Sequence, residues 1–288
     1  MPTPTYHQIS EANHRHMNPF SAEKIQLIGE ICGLRPEQTI LDLACGKGEM
    51  LCQWSSRFGI KATGVDSQAP FLDVAKQRSE ELNVSDRLSF VQAEAAGYLK
   101  ENTETFDLVS CIGATFVGGG FSGTLAIMKP ARKGSDSLLL VGEPFWLQPP
   151  PADANTGWGE SSSLESILEQ SENADLEIIE MVLANDDDFD RYEASQWKAI
   201  SDWLHDNPNA AVSQEYSEQM KKRRLNFLRN ARSYLGWGIF VLRERCSTSS
   251  RTKACTAWRS DSLSLCPNRE SAASVPKERP DFRSASSR

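Results

Sequence analysis

The residues that could do chemistry come as an ordered series. Asp42 precedes a turn made of Ala44, Cys45, Gly46 and Gly48, and Asp66 follows 20 residues past Gly46. Glu94 and Glu143 come later, while His14, His16 and Tyr192 stand outside the series. A glycine turn between an apolar strand and a helix leaves backbone N–H groups free at the helix N-terminus and lets a ligand approach them closely. A carboxylate at the tip of the next strand can accept bonds from both hydroxyls of a ribose. A dinucleotide site would need a third glycine for tight helix–strand packing, and Leu51 stands in that place, which argues against a nicotinamide-dependent oxidoreductase. Histidines titrate near neutral pH, so His14 and His16 suit proton removal from an acceptor. Glu143, beside Pro144, Phe145 and Trp146, could bind a cationic acceptor or act as a base, and Arg191 with Tyr192 could hold a carboxylate or hydroxyl. Each has a plainer reading: Asp66 as a helix N-cap, Glu94 as a solvated acid, the histidines as residues of a loose N-terminus, and Phe145, Trp146 and Trp197 as core.

Alternating strand and helix patterns position these groups. Short apolar runs predict strands at 40–44, 61–66, 88–92, 106–111, 137–142, 176–184 and 236–242. Helices are expected at about 49–58, 70–82 and 164–169, and one starts after Ser21, a good N-cap, with Ile25, Ile28, Ile31 and Cys32 on one face. Asp66, Glu94 and Glu143 then stand at the carboxyl ends of strands, where open α/β sheets bind ligands. Gly118, Gly119 and Gly120 imply a loop that is either mobile or closely approached by other backbone. Between the last two strands, two helices at about 188–205 and 211–235 are expected to form a cap over the substrate pocket.

As a set, Asp42, Gly46, Gly48, Asp66 and Glu94 resemble the binding motifs of the class I S-adenosylmethionine-dependent methyltransferases, with Ala44 in place of the usual first glycine. The Gly142-Glu-Pro-Phe-Trp146 segment and the lead-in from His14 to Phe20 are similar to those of bacterial members of small-molecule type. The resemblance spans residues 19–245. It implies an α/β, Rossmann-like, seven-stranded, mostly parallel sheet with the last strand antiparallel, helices on both faces and a helical cap. It implies S-adenosylmethionine (SAM) as cofactor: Gly46 and Gly48 on its methionine and ribose side, Asp42 at the turn or the amino group, Asp66 on the ribose and Glu94 on the adenine, flanked by Ser67, Ala95 and Ile112. Residues 1–20 would be a lid. A noncatalytic SAM-binding protein stays open as an alternative. Base N-methylation is disfavoured, because Ile112-Gly-Ala-Thr115 stands where an Asn/Asp-Pro-Pro-aromatic segment would be expected.

Composition narrows the field. The net charge of −8 disfavours nonspecific binding to nucleic acid, whose phosphates require a basic surface. No apolar run of about 18 residues exists, so no membrane span is expected, and the N-terminus lacks a basic-then-apolar secretory pattern, so a cytoplasmic protein is expected. Seven cysteines without a Cys-x-x-Cys pair support neither a disulfide framework nor a metal site. Residues 246–288 hold 11 serines and eight basic against four acidic residues, a composition that cannot bury enough surface to offset ordering entropy, so disorder is expected there.

Overall fold

Near-continuous apolar runs form a sheet that is buried on both faces, as parallel sheets are. In the computed structural model, which describes residues 3–149, 151 and 162–245, the strands are β1 (Thr39–Leu43), β2 (Lys61–Asp66), β3 (Leu88–Gln92), β4 (Leu108–Ile112), β5 (Leu138–Trp146), β6 (Ser162–Ser163), β7 (Leu176–Leu183) and β8 (Leu235–Glu244). Their order is β3-β2-β1-β4-β5-β8-β7, with the two-residue β6 added beside the end of β5. All pairings are parallel except those of β8, which runs antiparallel to both β5 and β7. The order reverses between β1 and β4, and the crevice outside the carboxyl ends at such a point is where ligands bind in open α/β sheets.

The helices are α1 (Tyr6–Ser10), α2 (Ala22–Ile31), α3 (Glu49–Phe58), α4 (Ala69–Glu81), α5 (Ala95–Glu101), α6 (Phe121–Met128), α7 (Leu164–Asn173), α8 (Asp186–Asp206) and α9 (Ser213–Asn226). Because side chains alternate along a strand, Ile40 packs under α2 and α3 with Ile25, Ile28, Leu51 and Trp54, while Leu41 and Leu43 pack on the opposite face with Val109, Leu125 and Leu139. A third, smaller core joins Tyr6 and Ile9 of α1 to Ile200, Tyr216 and Met220 of α8 and α9. The segment before α2 thus belongs to the same packed unit as the rest through Arg245.

Two sequence expectations need correction. β5 runs on to Trp146, so Glu143 lies inside the strand, opposite Gly238 of β8, and not at its end. The second cap helix is not uniform: α9 passes into a π turn at Phe227–Ala231, with Phe227 and Ala231 buried, before Arg232–Tyr234 leads into β8. The N-terminal segment contains α1, which is closed by a capping box between Thr5 and Gln8. The triple-glycine loop is a closely approached turn: Thr115–Gly118 forms a 3-10 helix, and a Cβ on Gly118 would lie 2.3 Å from the Thr124 nitrogen. Most of the polar loop around residue 150 and the expected tail at 246–288 lie outside the described residues.

Candidate functional site

A cavity of about 450 Å³ opens at the carboxyl edge of β1, β2, β3 and β4. Asp42, Ala44, Cys45, Gly46, Asp66, Ser67, Glu94, Ala95 and Ile112 all line it, so nine residues dispersed over four strand ends meet at one wall. Thr5, His7 and the run from Arg15 to Asn18 supply the facing wall. Gly48 is not in the lining. It is the left-handed N-cap of α3, and a Cβ there would meet Phe90 and Ala75 within 3 Å.

Asp66, 8% exposed, ties the turn together. Its Oδ2 accepts from the Gly46 nitrogen at 2.8 Å, and its Oδ1 accepts from the Gln68 nitrogen at 2.8 Å. The carboxylate therefore fixes the loop that faces the cavity and keeps further lone pairs for hydroxyl donors. Asp42 lies opposite Ser110 in the β1–β4 register and accepts its hydroxyl proton at 2.6 Å. Burial pushes Asp42 up to about 7, with the Ser110 bond opposing and the Asp66 charge adding to the shift. Gly46 has a positive φ, and a Cβ on it would lie 2.8 Å from the Met17 sulfur, so the thioether sits directly over the turn. Glu49, at the start of α3, is held by Arg78 through Nε at 2.8 Å and Nη2 at 3.0 Å. Glu94 is exposed at the N-cap of α5 and makes no capping bond.

The candidate bases divide. His16 lines the cavity, and burial lowers its pKa below the usual histidine value, so it is neutral at neutral pH. His14, Tyr192 and Glu143 are not part of the lining. His14 and Tyr192 stack on each other and both bond Glu11, at 2.8 and 3.0 Å, so their polar atoms are already engaged behind the N-terminal segment. Glu143 is buried beside Thr115, which bonds it, and burial pushes it up to about 7. Phe145 packs against Phe240 and Trp197 against Phe227, so both belong to the core, as the plainer reading has it. The cap helices do not line the cavity either; they back the N-terminal segment that does.

Several lining residues carry no sequence signal of their own. Asn18 lines the cavity and its buried amide oxygen has no hydrogen-bond partner, and Phe116, also in the lining, is 77% exposed. Lys47 could have been noticed as a cation between two turn glycines. Its role depends on residues more than 30 positions away. No group of metal-ligating side chains occurs among the described residues.

A family model described as a methyltransferase domain matches residues 40–120, the stretch from β1 through the loop after β4. The uncharacterized protein YjhP of Escherichia coli is 36% identical over 248 residues, covering 84% of this chain and 99% of that protein. A SAM-dependent methyltransferase from Geobacter sulfurreducens, solved in complex with S-adenosyl-L-homocysteine, superposes with a TM-score of 0.78 at 34% identity, covering 84% of this chain and 99% of that one. A SAM-dependent methyltransferase from Thiobacillus denitrificans, solved with the same ligand, has a TM-score of 0.78 at 34% identity, covering 85% and 100%.

Proposed function

The chain belongs to the SAM-dependent methyltransferases and uses that cofactor, and from that premise we propose that it methylates a small molecule held between the N-terminal segment and the carboxyl edge of the sheet. The observation that carries this reading is the facing pair of walls: a cofactor wall from β1 to β4 opposite a wall of Thr5, His7 and Arg15 to Asn18. The residues present suit the cofactor. The lining brings Asp42 and Asp66 toward a ligand that carries positive charge, and the Asn18 oxygen is an acceptor still without a donor.

When bound, SAM supplies an activated methyl group on a sulfonium, and transfer is an in-line displacement that depends on alignment. Asp66 accepts from the ribose hydroxyls while it holds the Gly46 N–H, so ligand binding and loop geometry are coupled through one carboxylate. Glu94 takes the adenine edge, and Ser67, Ala95 and Ile112 shape the slot. Asp42 orients the turn and faces the amino group. His16, whose Nε2 lies 3.4 Å from the Gln53 amide nitrogen, is the base of the cavity lining that takes the proton of a protic acceptor. The acidic surface and the small cavity argue for a low-mass acceptor over nucleic acid.

Incubation of the enzyme with methyl-labelled SAM and a whole-cell extract separates the possibilities. The label is expected in the low-mass fraction, and label on precipitated protein or nucleic acid would contradict the small-molecule reading.

A further inference from the structure

Two buried charges lie at the site without a part in the chemistry above. Lys47, 9% exposed, sits between Gly46 and Gly48 in the turn that faces the cofactor cavity. Its Nζ donates to the carbonyl oxygens of Glu11 at 2.6 Å, Ala12 at 3.2 Å and His14 at 2.8 Å. An ammonium has three protons, and each finds a carbonyl of the N-terminal segment. Glu11, 1% exposed, closes the other side. Its Oε1 accepts from the Tyr192 hydroxyl at 3.0 Å and from the Gln196 amide at 2.7 Å, and its Oε2 bonds His14 at 2.8 Å. His14 also bonds Ser195 and stacks on Tyr192 with ring centroids 4.6 Å apart.

Burying an ammonium and a carboxylate is costly unless every proton and lone pair is matched, and loss of one partner leaves the other group stranded. Here both charges are spent on one short segment. That segment forms the facing wall of the cavity through Thr5, His7 and Arg15 to Asn18. The other end of each tie is fixed on a different element: the glycine turn for Lys47, and α8 for Glu11.

We propose that Lys47 and Glu11 are positioning residues that latch the N-terminal segment shut over the bound cofactor, so that release of the spent cofactor requires both ties to break. Lys47 belongs to the loop that contacts the cofactor, and Glu11 transmits closure to the cap helices, which do not themselves reach the cavity. The cap helix α8, whose Tyr192 and Ser195 line an adjoining cavity with Arg15, His16 and Asn18, is then the anchor of the lid. The inference rests on placing the cofactor in this cavity.

The test follows dissociation of S-adenosyl-L-homocysteine by stopped-flow displacement, with amide hydrogen exchange on the full chain. Lys47→Met keeps the aliphatic stem and removes all three donors. It is expected to speed dissociation by about tenfold or more, the equivalent of one net hydrogen bond, to change the association rate little, and to accelerate exchange in residues 6–18. Tyr192→Phe, which removes a single hydroxyl from Glu11, is expected to do the same to a smaller degree, and it decides the matter if Lys47→Met does not fold. Unchanged dissociation would overturn the latch, as would faster exchange in 6–18 without faster release, since that would mark a purely structural tie. Asp66→Ala separates the premise. If it leaves binding intact, the cofactor placement fails; if it abolishes binding while Lys47→Met releases at the wild-type rate, only the latch fails.

Discussion

At the scale of single residues, the carboxylates in and near the site have different surroundings and different work. Asp66 is satisfied by two backbone donors and organises the turn, whereas Asp42 and Glu143 are buried with one hydroxyl partner each and are pushed up to about 7. For Glu143 the linkage has a definite sign. Its folded-state pKa lies above the ordinary glutamate value, so its contribution to stability is fully present below about pH 4.5 and is lost as pH rises through about 7. Glu143→Gln cannot ionise. Its stability relative to wild type is therefore expected to climb from pH 4.5 to 7 and then level off, as measured by denaturant melts across that range; a flat difference would show that Glu143 ionises normally in the fold. Ala44 makes a separate point. It adopts φ 57°, a left-handed conformation that costs a non-glycine residue about 1–2 kcal/mol, where the family resemblance implies a glycine. The sequence reading identified that departure but could not show that the backbone keeps the glycine geometry without the glycine.

At the scale of elements, the strands were legible because a doubly buried parallel strand writes a short apolar run, and β1, β2 and β3 match their expected limits to within a residue. The cofactor wall was legible for the same reason: it consists of strand ends, and strand ends follow from the runs. The facing wall was not. His14 and His16 are two residues apart, yet one lines the cavity and the other bonds Glu11 and Ser195, a difference set by contacts with α8 some 180 positions away. The end of β5 was misread because pairing with β8 continues through Pro144, whose missing N–H a sequence pattern treats as a stop. The loop after β4 is another element whose role emerges only in three dimensions. Gly118 packs against the Gly123–Thr124 backbone and fixes the turn, which leaves Phe116 exposed over the cavity mouth. Phe116→Ala removes little buried surface, so stability is expected to change by less than about 0.5 kcal/mol and homocysteine-product affinity to hold. The KM for the acceptor is expected to rise several-fold, and steady-state kinetics with the acceptor identified by labelling would check it; an unchanged KM would remove Phe116 from the acceptor site.

At the scale of the whole molecule, the carboxyl edge of the sheet lines the cavity from one side and the N-terminal segment, packed on the helices between β7 and β8, lines it from the other. The N-terminal segment and the helices between β7 and β8 are far apart in sequence, but they share an apolar core through Tyr6, Ile9, Ile200 and Tyr216 and a polar one through Glu11, Tyr192 and Gln196. Among the described residues no helix is long and apolar enough to cross a membrane. The cap helix α8 contributes Asp188, Arg191, Tyr192 and Ser195 to a second cavity of about 400 Å³ that shares Arg15, His16 and Asn18 with the first. The central claim is that Asp66 couples the glycine turn to the cofactor. Calorimetric titration of wild type and Asp66→Ala with S-adenosyl-L-homocysteine tests it most directly. The account predicts saturable binding by the wild type and a loss of at least about a hundredfold in the variant, about 3 kcal/mol for a buried charged acceptor. Equal binding by both proteins, with the variant folded by circular dichroism, would contradict it.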